Sequence, residues 1–134
     1  MSKLLLLLLL LSVAAAFYTS APGTSTINKA RSFQASLNRA VSQGNERGVN
    51  SHVSDWMVYD RCNGPDGDKR DFVRGLLQER KLGVVTNARD DGTFIKYDLN
   101  YGNKKMEYKI DSKETSPFQR TLIMAREKDC QFGG

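Results

Sequence analysis

Two cysteines and one histidine are the residues in this sequence with the clearest chemical potential: Cys62, Cys130 and His52. In an oxidising compartment, two cysteines are typical of one disulfide. Closing a loop of about 68 residues would stabilise the fold by roughly 4 kcal/mol. A pair of reactive or metal-binding thiols is the alternative, but the cysteines are far apart and there is only one histidine. We therefore expect no metal and no cofactor, and we favour a structural role for His52 although it could titrate near neutral pH.

The N-terminus predicts that oxidising compartment. Lys3 precedes an unbroken leucine run at 4–11, and the small residues Ala14 and Ala16 follow. The run is shorter than the about 20 apolar residues that a membrane span needs. The alanines fit a signal-peptidase site before Phe17. We expect a signal peptide at 1–16, a secreted, extracellular product, and no membrane attachment after cleavage.

Length and charge indicate one mildly basic domain. The chain has 134 residues and a formal net charge of +5, and roughly 100 to 200 residues per domain is usual. Its basic residues form short doublets such as Lys104-Lys105 with acids close by, rather than a stripe interleaved with aromatic residues. That pattern is typical of a solvated surface, so we expect no nucleic-acid partner.

Helical periodicity dominates the first half of the chain. Pro22 and Gly23 lie in a small polar segment at 17–25 that predicts a flexible leader. From Thr26 the apolar residues follow helical spacing, with Gln34 and Asn38 elsewhere on the wheel. The apolar stripe consists of Ile27, Ala30, Phe33, Leu37, Ala40 and Val41. A short helix capped by Asn45 is predicted next, and a third helix carries Phe72, Val73, Leu76 and Leu77.

Strand signals fill the rest of the sequence. A run of strand formers at 56–59 ends at Cys62, and from Val84 onward apolar and polar residues alternate through four segments separated by turns. One such face carries Ile95, Tyr97, Leu99 and Tyr101. The order of helix, short helix, strand, helix and four strands predicts an α+β fold in which the helices cover one side of a mostly antiparallel sheet. We place the domain at 26–130 and a C-terminal tail at 131–134.

The element order and three local phrases resemble the NTF2-like superfamily, which includes nuclear transport factor 2, ketosteroid isomerase and scytalone dehydratase. The phrases are LNRAVSQGN at 37–45, DWMVY at 55–59 and DFVRGLL at 71–77. The resemblance covers 27–130 and looks closest to small secreted nematode proteins of this type. It implies the NTF2-like or cystatin-like cone fold, in which a curved mixed, mostly antiparallel sheet wraps around the helices. A cystatin-like inhibitor fits less well, since the expected Gln-x-Val-x-Gly hairpin is missing and the third helix has no place in it.

The resemblance also implies that the first strand lies parallel to the last. The ends of those strands would bring Cys62 and Cys130 together, within the distance that a disulfide requires. The short second strand that is usual in the family should fall at 63–68, where this sequence has mostly turn residues.

Cones of this kind often enclose a pocket, and enzymes of the superfamily keep a buried carboxylate in it, whose pKa burial would raise. The inward stripe of the first helix carries no acid or tyrosine, which departs from the isomerase pattern. Candidate polar groups are Asp55, Tyr59, Tyr97, Asp98, Tyr101 and Tyr108. For Tyr97, Tyr101 and Tyr108 we favour packing in the core or at its rim. Asp98 is expected to be solvated, and Asp55 is expected to cap or form the turn into the strand.

The resulting function prediction is a non-catalytic domain that binds a small apolar ligand or a protein partner. The candidate ligand contacts are Trp56, Tyr59, Tyr97 and Tyr101, although a core role is favoured for Trp56. The alternative is a secreted isomerase, dehydratase or hydrolase that uses a buried carboxylate. Relatives pair through the outer sheet face, which here is highly charged, so a monomer is favoured over a homodimer.

Overall fold

The first helix is longer than the sequence pattern predicts. The structure, a computed structural model, describes residues 21–80, 82–112 and 120–130. Helix α1 spans Ala21–Ser42, so it begins inside the segment expected to be a leader, and Pro22 lies in its first turn, where proline is well tolerated. The predicted signal peptide at 1–16 and the tail at 131–134 lie outside the described residues.

Two capped helices complete the helical layer. Helix α2 spans Glu46–Ser51, and the side chain of its N-cap, Asn45, accepts a hydrogen bond from the backbone N–H of Gly48. Helix α3 spans Lys69–Glu79. Asp68 and Asp71 form a reciprocal capping box at its start, which satisfies two backbone donors that would otherwise lack partners. The predicted cap at Asn45 is confirmed.

Five strands form one sheet in the order β1-β5-β4-β3-β2. The strands are β1 Val53–Asp60, β2 Val84–Asp90, β3 Phe94–Tyr101, β4 Lys104–Asp111 and β5 Leu122–Glu127. Strands β2 to β5 are antiparallel neighbours, and β1 pairs with β5 in parallel. The predicted α+β fold, the meander and the parallel closing pair are all confirmed.

The stretch between β1 and α3 forms one isolated antiparallel bridge, between Tyr59 and Gly67. A strand there would require several consecutive pairs, and the turn residues at 63–68 supply only this one. At the other end of β1, the side chain of Lys69 contacts the strand, because its Nζ donates to the backbone oxygen of Val53 at 2.8 Å.

The core lies between α1, α3 and the inner face of the sheet. On β3 the four residues predicted to share a face are all buried, while their neighbours are partly exposed. The inward side of α1 contributes Ala30, Phe33, Leu37, Ala40 and Val41. None of the helices within the described ranges is long and apolar enough to cross a membrane.

Candidate functional site

A cluster of polar side chains lies inside the core, where α1 faces β3, and it continues to β4. Gln34 is only 2% exposed. Its Oε1 accepts the hydroxyl of Tyr97 at 2.7 Å, and its Nε2 donates to the hydroxyl oxygen of Tyr101 at 3.3 Å and to Asn38 Oδ1 at 2.9 Å. The hydroxyls of Tyr101 and Tyr108 are 2.6 Å apart. The inward side of the cone therefore carries a connected chain of hydrogen bonds.

Gly83 lets this cluster form beside the start of β2. Its N–H donates to Asn38 Oδ1 at 3.0 Å, and its carbonyl oxygen accepts from Asn38 Nδ2 at 2.9 Å. A Cβ at this position would lie 2.6 Å from Leu99 Cδ1, 2.8 Å from Gln34 Nε2 and 3.0 Å from Tyr101 Cζ. Only glycine allows the backbone to approach this closely.

Burial keeps these phenols neutral. It raises the pKa of Tyr97 and of Tyr108 well above the ordinary value of 10.0. Burial also raises the pKa of Tyr101 to about 12, although hydrogen bonds from Tyr108 and Gln34 oppose the rise. At neutral pH the cluster can donate and accept hydrogen bonds, but it offers no ionised base.

A small recess opens between α3 and the inner face of the sheet, next to the cluster. Its volume is about 50 Å³. The rings of Tyr59 and Phe72, and those of Phe72 and Tyr108, meet edge to face at 5.3 and 5.7 Å. The recess is lined by Tyr59, Phe72, Gly75, Leu76, Glu79, Tyr101, Lys104, Met106 and Tyr108. Its walls are thus mainly aromatic and aliphatic.

A carboxylate that does not itself line the recess lies directly behind two residues that do, Tyr59 and Lys104, at the open side that we call the rim. Glu127, at the end of β5, accepts the hydroxyl of Tyr59 at 3.0 Å and the ammonium of Lys104 at 2.9 Å on Oε1, and the N–H of Cys62 at 3.2 Å on Oε2. Burial raises the pKa of Glu127, but the three donors together outweigh it, so the pKa lies below its ordinary value of 4.5. Burial, followed by the bond to Glu127, raises the pKa of Tyr59.

The predicted disulfide lies directly beside this rim. Cys62 and Cys130 are bonded, with Cα atoms 5.1 Å apart. They follow the ends of β1 and β5, which are parallel neighbours. The bond thus holds the backbone N–H of Cys62 close to Glu127, so the cross-link and the rim form one unit.

The predicted ligand contacts are divided between three places. Tyr59 and Tyr101 line the recess, whereas Tyr97 lies deeper and contributes to the interior cluster. Trp56 does neither, because it is 90% exposed on the outer side of β1. The β1–β5 register shifts between Val53 and Val58, and the sequence pattern does not show this irregularity. Neither the expected core position of Trp56 nor its candidate place in a pocket agrees with this exposure.

Neither of the two predicted acidic candidates lies in the recess. Asp55 is exposed and pairs with Lys69 at 2.8 Å, and the hydrogen bond and charge of that lysine lower the pKa of Asp55. Asp98 lies on the outer face, 3.1 Å from the Nζ of Lys128. Both carboxylates are surface groups with cationic partners.

His52 has a structural environment. Its Nδ1 lies 2.6 Å from the carbonyl oxygen of Gly48 and its Nε2 2.8 Å from Ser36 Oγ. A carbonyl can only accept, so Nδ1 carries a proton and donates it to the Gly48 oxygen. The ring also packs edge-on against Phe33.

A larger but open groove of about 850 Å³ lies beside α2 and α3. Its walls carry both signs of charge, including the paired Asp55 and Lys69, and the capping box of Asp68 occupies the start of α3. No group of three or more potential metal ligands occurs among the residues that the structure describes.

Sequence reasoning missed Gln34, Phe72, Lys104 and Glu127 as site residues. Gln34 lay on the polar side of the predicted helix, and a polar residue there is usually solvated. Two signals in the sequence could have identified Gln34. It lies four residues after the buried Ala30, on the same side of the helix. The strands also carry three inward tyrosines, and buried hydroxyls require hydrogen-bond partners.

Comparisons with known proteins agree on the fold. No protein-family model and no curated protein matches the chain. A variant of the protein Rd1NTF2_05 superposes with a TM-score of 0.58 at 7% identity, covering 73% of this chain and 95% of that one. An NTF2-like protein of unknown function from Shewanella oneidensis gives 0.52 at 7% identity, covering 75% and 97%. A domain with a cystatin-like fold from Nostoc punctiforme gives 0.50 at 12%, covering 78% and 76%. The chain therefore has an NTF2-like, cystatin-like α+β fold.

Proposed function

We propose that this NTF2-like domain is a non-catalytic binding protein whose recess takes the apolar part of a small ligand. The observation that carries the proposal is the aromatic and aliphatic lining of the recess between α3 and the sheet. Ligand sites are typically concave and mainly apolar, with a few polar groups at defined positions. The recess has this composition, with the carboxylate of Glu127 held at its rim.

The enzyme alternative receives less support from the geometry. Asp55 and Asp98 are surface groups, and the interior polar groups are a glutamine and neutral phenols. Glu127 is held ionised by three donors, whereas the proposed chemistry needs an acid whose pKa is raised. These features favour binding over proton transfer.

The size of the recess limits the ligand. One water occupies about 30 Å³ in the liquid, and the recess measures about 50 Å³. The enclosed part thus suits about two non-hydrogen atoms, with the remainder of the ligand at the open rim. Typical pockets for larger ligands measure about 300 Å³ or more.

A blocking variant tests the proposal. Gly75 lines the recess, and a Cβ added there would have no atom within 4 Å. We expect Gly75→Leu to fill the recess while the protein still folds, and Gln78→Leu to add the same side chain on the exposed side of α3. Neutral alcohols of three to six non-hydrogen atoms should shift the NMR methyl signal of Met106 in the wild type and in the Gln78 variant only. Shifts that persist in Gly75→Leu would contradict the site, and no response to any probe would contradict the function.

We also propose that the protein is exported, with the closeness to secreted nematode proteins as a further prediction. The leucine-rich segment at 4–11 and the disulfide support export. Expression with the native N-terminus in a secreting host should give a product in the medium that begins at Phe17 and lacks two hydrogens. An intracellular product that retains 1–16 would contradict this proposal.

A protein partner is the second candidate, supported by an apolar surface on the outer side of β1. Trp56 and Val58 are exposed and lie two residues apart on the strand, and Val58 pairs with Met124 of β5. Exposed tryptophan is enriched among residues that dominate protein interfaces. Trp56 is the only tryptophan, so its fluorescence reports this surface directly.

Wild-type and Trp56→Ser proteins immobilised side by side test this candidate. A specific partner should be retained by the wild type alone, and titration of that partner should shift the Trp56 emission. A partner that both proteins retain equally would exclude this surface. Sedimentation of the isolated protein should show a monomer, as we propose, whereas a concentration-dependent dimer would identify a second copy as the occupant.

A further inference from the structure

The rim of the recess combines two acids with one ammonium group. Glu79 lines the recess directly. Glu127 lies just behind the Tyr59 hydroxyl, with its side chain 13% exposed. Lys104 is the one basic residue among the described lining residues. Without the lysine, the rim would present two negative charges beside an aromatic wall.

Lys104 already places an ammonium group at this position. Its Nζ lies 2.9 Å from Glu127 Oε1, and its chain also lines the recess beside Tyr101. The lysine is thus a tethered cation whose charge meets a partly buried carboxylate. An ammonium group of similar size, bound from solution, would find the same acceptor.

The aromatic wall suits a cation as well as an alkyl chain. The rings of Tyr101 and Tyr108 are 6.1 Å apart, and Phe72 and Tyr59 continue the wall. Cations are attracted to ring faces within about 6 Å. One cation already lies on this wall, because the guanidinium of Arg61 is 5.5 Å from the Tyr59 ring centroid. Arg61 does not line the recess, so it does not occupy the space beside Phe72 and Tyr108.

We propose that the recess recognises a small primary alkylammonium ion. Its ammonium group binds at the rim between Glu127 and Glu79, and the last two carbons of its two- or three-carbon chain lie against the rings in the enclosed volume. Lys104 competes with the ligand for Glu127. The inference rests on the proposed ligand-binding function and specifies its chemical class.

The charge state of the rim supports this assignment. Hydrogen bonds to Glu127 hold its pKa below the ordinary value of 4.5, so the carboxylate is ionised at neutral pH. A primary alkylammonium is protonated at that pH, like the lysine side chain. Charge-assisted hydrogen bonds between such groups are roughly twice as strong as neutral ones.

The test compares n-propylammonium chloride with neutral 1-propanol at pH 7 and matched ionic strength. Affinity is measured by titration calorimetry and by the NMR methyl signal of Met106. We expect the ammonium to bind about tenfold more tightly than the alcohol, which is the ratio given by about 1.4 kcal/mol of charge-dependent attraction. Equal affinities, or tighter binding of the alcohol, would overturn the inference and leave the proposed function intact. Binding of neither probe would remove both.

Two pairs of variants test whether Lys104 competes with the ligand and whether the charge of Glu79 attracts it. In each pair, the second variant changes the same charge away from the recess. Lys104→Met removes the tethered cation but keeps an unbranched apolar chain, and it should tighten propylammonium binding about tenfold. Lys105→Met, the neighbouring lysine that pairs with Asp129 on the outer face, should leave the affinity unchanged. Glu79→Gln should weaken binding several-fold, while Glu46→Gln on α2 should not. Weaker binding in Lys104→Met, or equal effects within either pair, would refute the proposed arrangement.

Folding of each variant is checked by its circular dichroism spectrum. If Lys104→Met does not fold, Lys104→Gln removes the same charge with a polar chain and must show the same tightening. A folded Lys104→Gln protein without that tightening would overturn the competition by Lys104.

Discussion

Replacing Tyr97 by phenylalanine removes one buried hydroxyl and tests the interior cluster directly. Tyr97 is 1% exposed, and its hydroxyl donates to Gln34 Oε1 at 2.7 Å. In Tyr97→Phe that amide oxygen loses its donor in a position that water cannot easily reach. An unsatisfied buried acceptor costs about 1–3 kcal/mol. We expect the free energy of unfolding to fall by that amount.

The complementary variant, Gln34→Met, leaves the Tyr97 hydroxyl without an acceptor and removes a donor from Tyr101. Its expected cost lies in the same range of about 1–3 kcal/mol. The double variant replaces both members of the hydrogen bond by apolar groups. Such paired replacement is close to neutral for the bond itself, so the double variant should be less destabilised than the sum of the single variants by about 1–2 kcal/mol.

Urea unfolding followed by circular dichroism at 222 nm measures all three free energies. Thr86→Val is the control, because the Thr86 hydroxyl donates to the backbone oxygen of Asp98 at 3.3 Å at an exposed position, and water can replace the lost group there. Its cost should be smaller, about 0.5–1.5 kcal/mol. Additivity of the two core variants within about 0.5 kcal/mol would refute the coupling. A cost for Tyr97→Phe no larger than the control would refute the assigned burial.

Further predictions concern two glycines, one carboxylate and the disulfide. Gly75→Ala should stabilise the protein by about 0.5–1 kcal/mol in the same urea assay, because alanine has the higher helix propensity and its Cβ would meet no atom within 4 Å. Gly83→Ala should destabilise the protein by about 1–3 kcal/mol, because the new Cβ would crowd its neighbours. Similar effects of the two substitutions would contradict the geometry at these glycines. Because the pKa of Glu127 is lowered by folding, its contribution to stability is present above pH 4.5 and is lost as pH falls through the folded-state value; Glu127→Gln should flatten that acid limb, and an unchanged slope would count against it. Reducing the Cys62–Cys130 bond, which spans a separation of 68 residues, should lower the free energy of unfolding by about 4 kcal/mol, whereas a difference below about 1 kcal/mol would mean that the cross-link constrains little.

The strand pattern could be predicted because burial on a sheet repeats every second residue. On β3 this rule places Ile95, Tyr97, Leu99 and Tyr101 on the inner face, and all four are buried. The parallel pairing of β1 with β5 and the position of the disulfide came from the resemblance to a known family, since no local pattern encodes which distant strands become neighbours.

Two side chains show where local rules fail. Gln34 is polar and was expected outside, but the hydroxyls of Tyr97 and Tyr101, which converge from β3, supply its partners. Its burial therefore depends on tertiary contacts. Trp56 was expected inside, but Val53 and Met57 are the buried residues of β1, so alternation along the strand places Trp56 on the opposite, exposed side.

The pairing of the first strand with the last has a consequence for the time course of folding. Strand β1 has one neighbour in the sheet, and that neighbour is β5. During synthesis, β1 leaves the ribosome long before β5 exists, so its hydrogen-bonding edge stays unsatisfied while the rest of the chain emerges. Contacts between residues so distant in sequence slow folding, because the loop must close before they form. The exposed edge of a nascent β1 is thus open to mispairing, and that interval ends once β5 has emerged and paired with it.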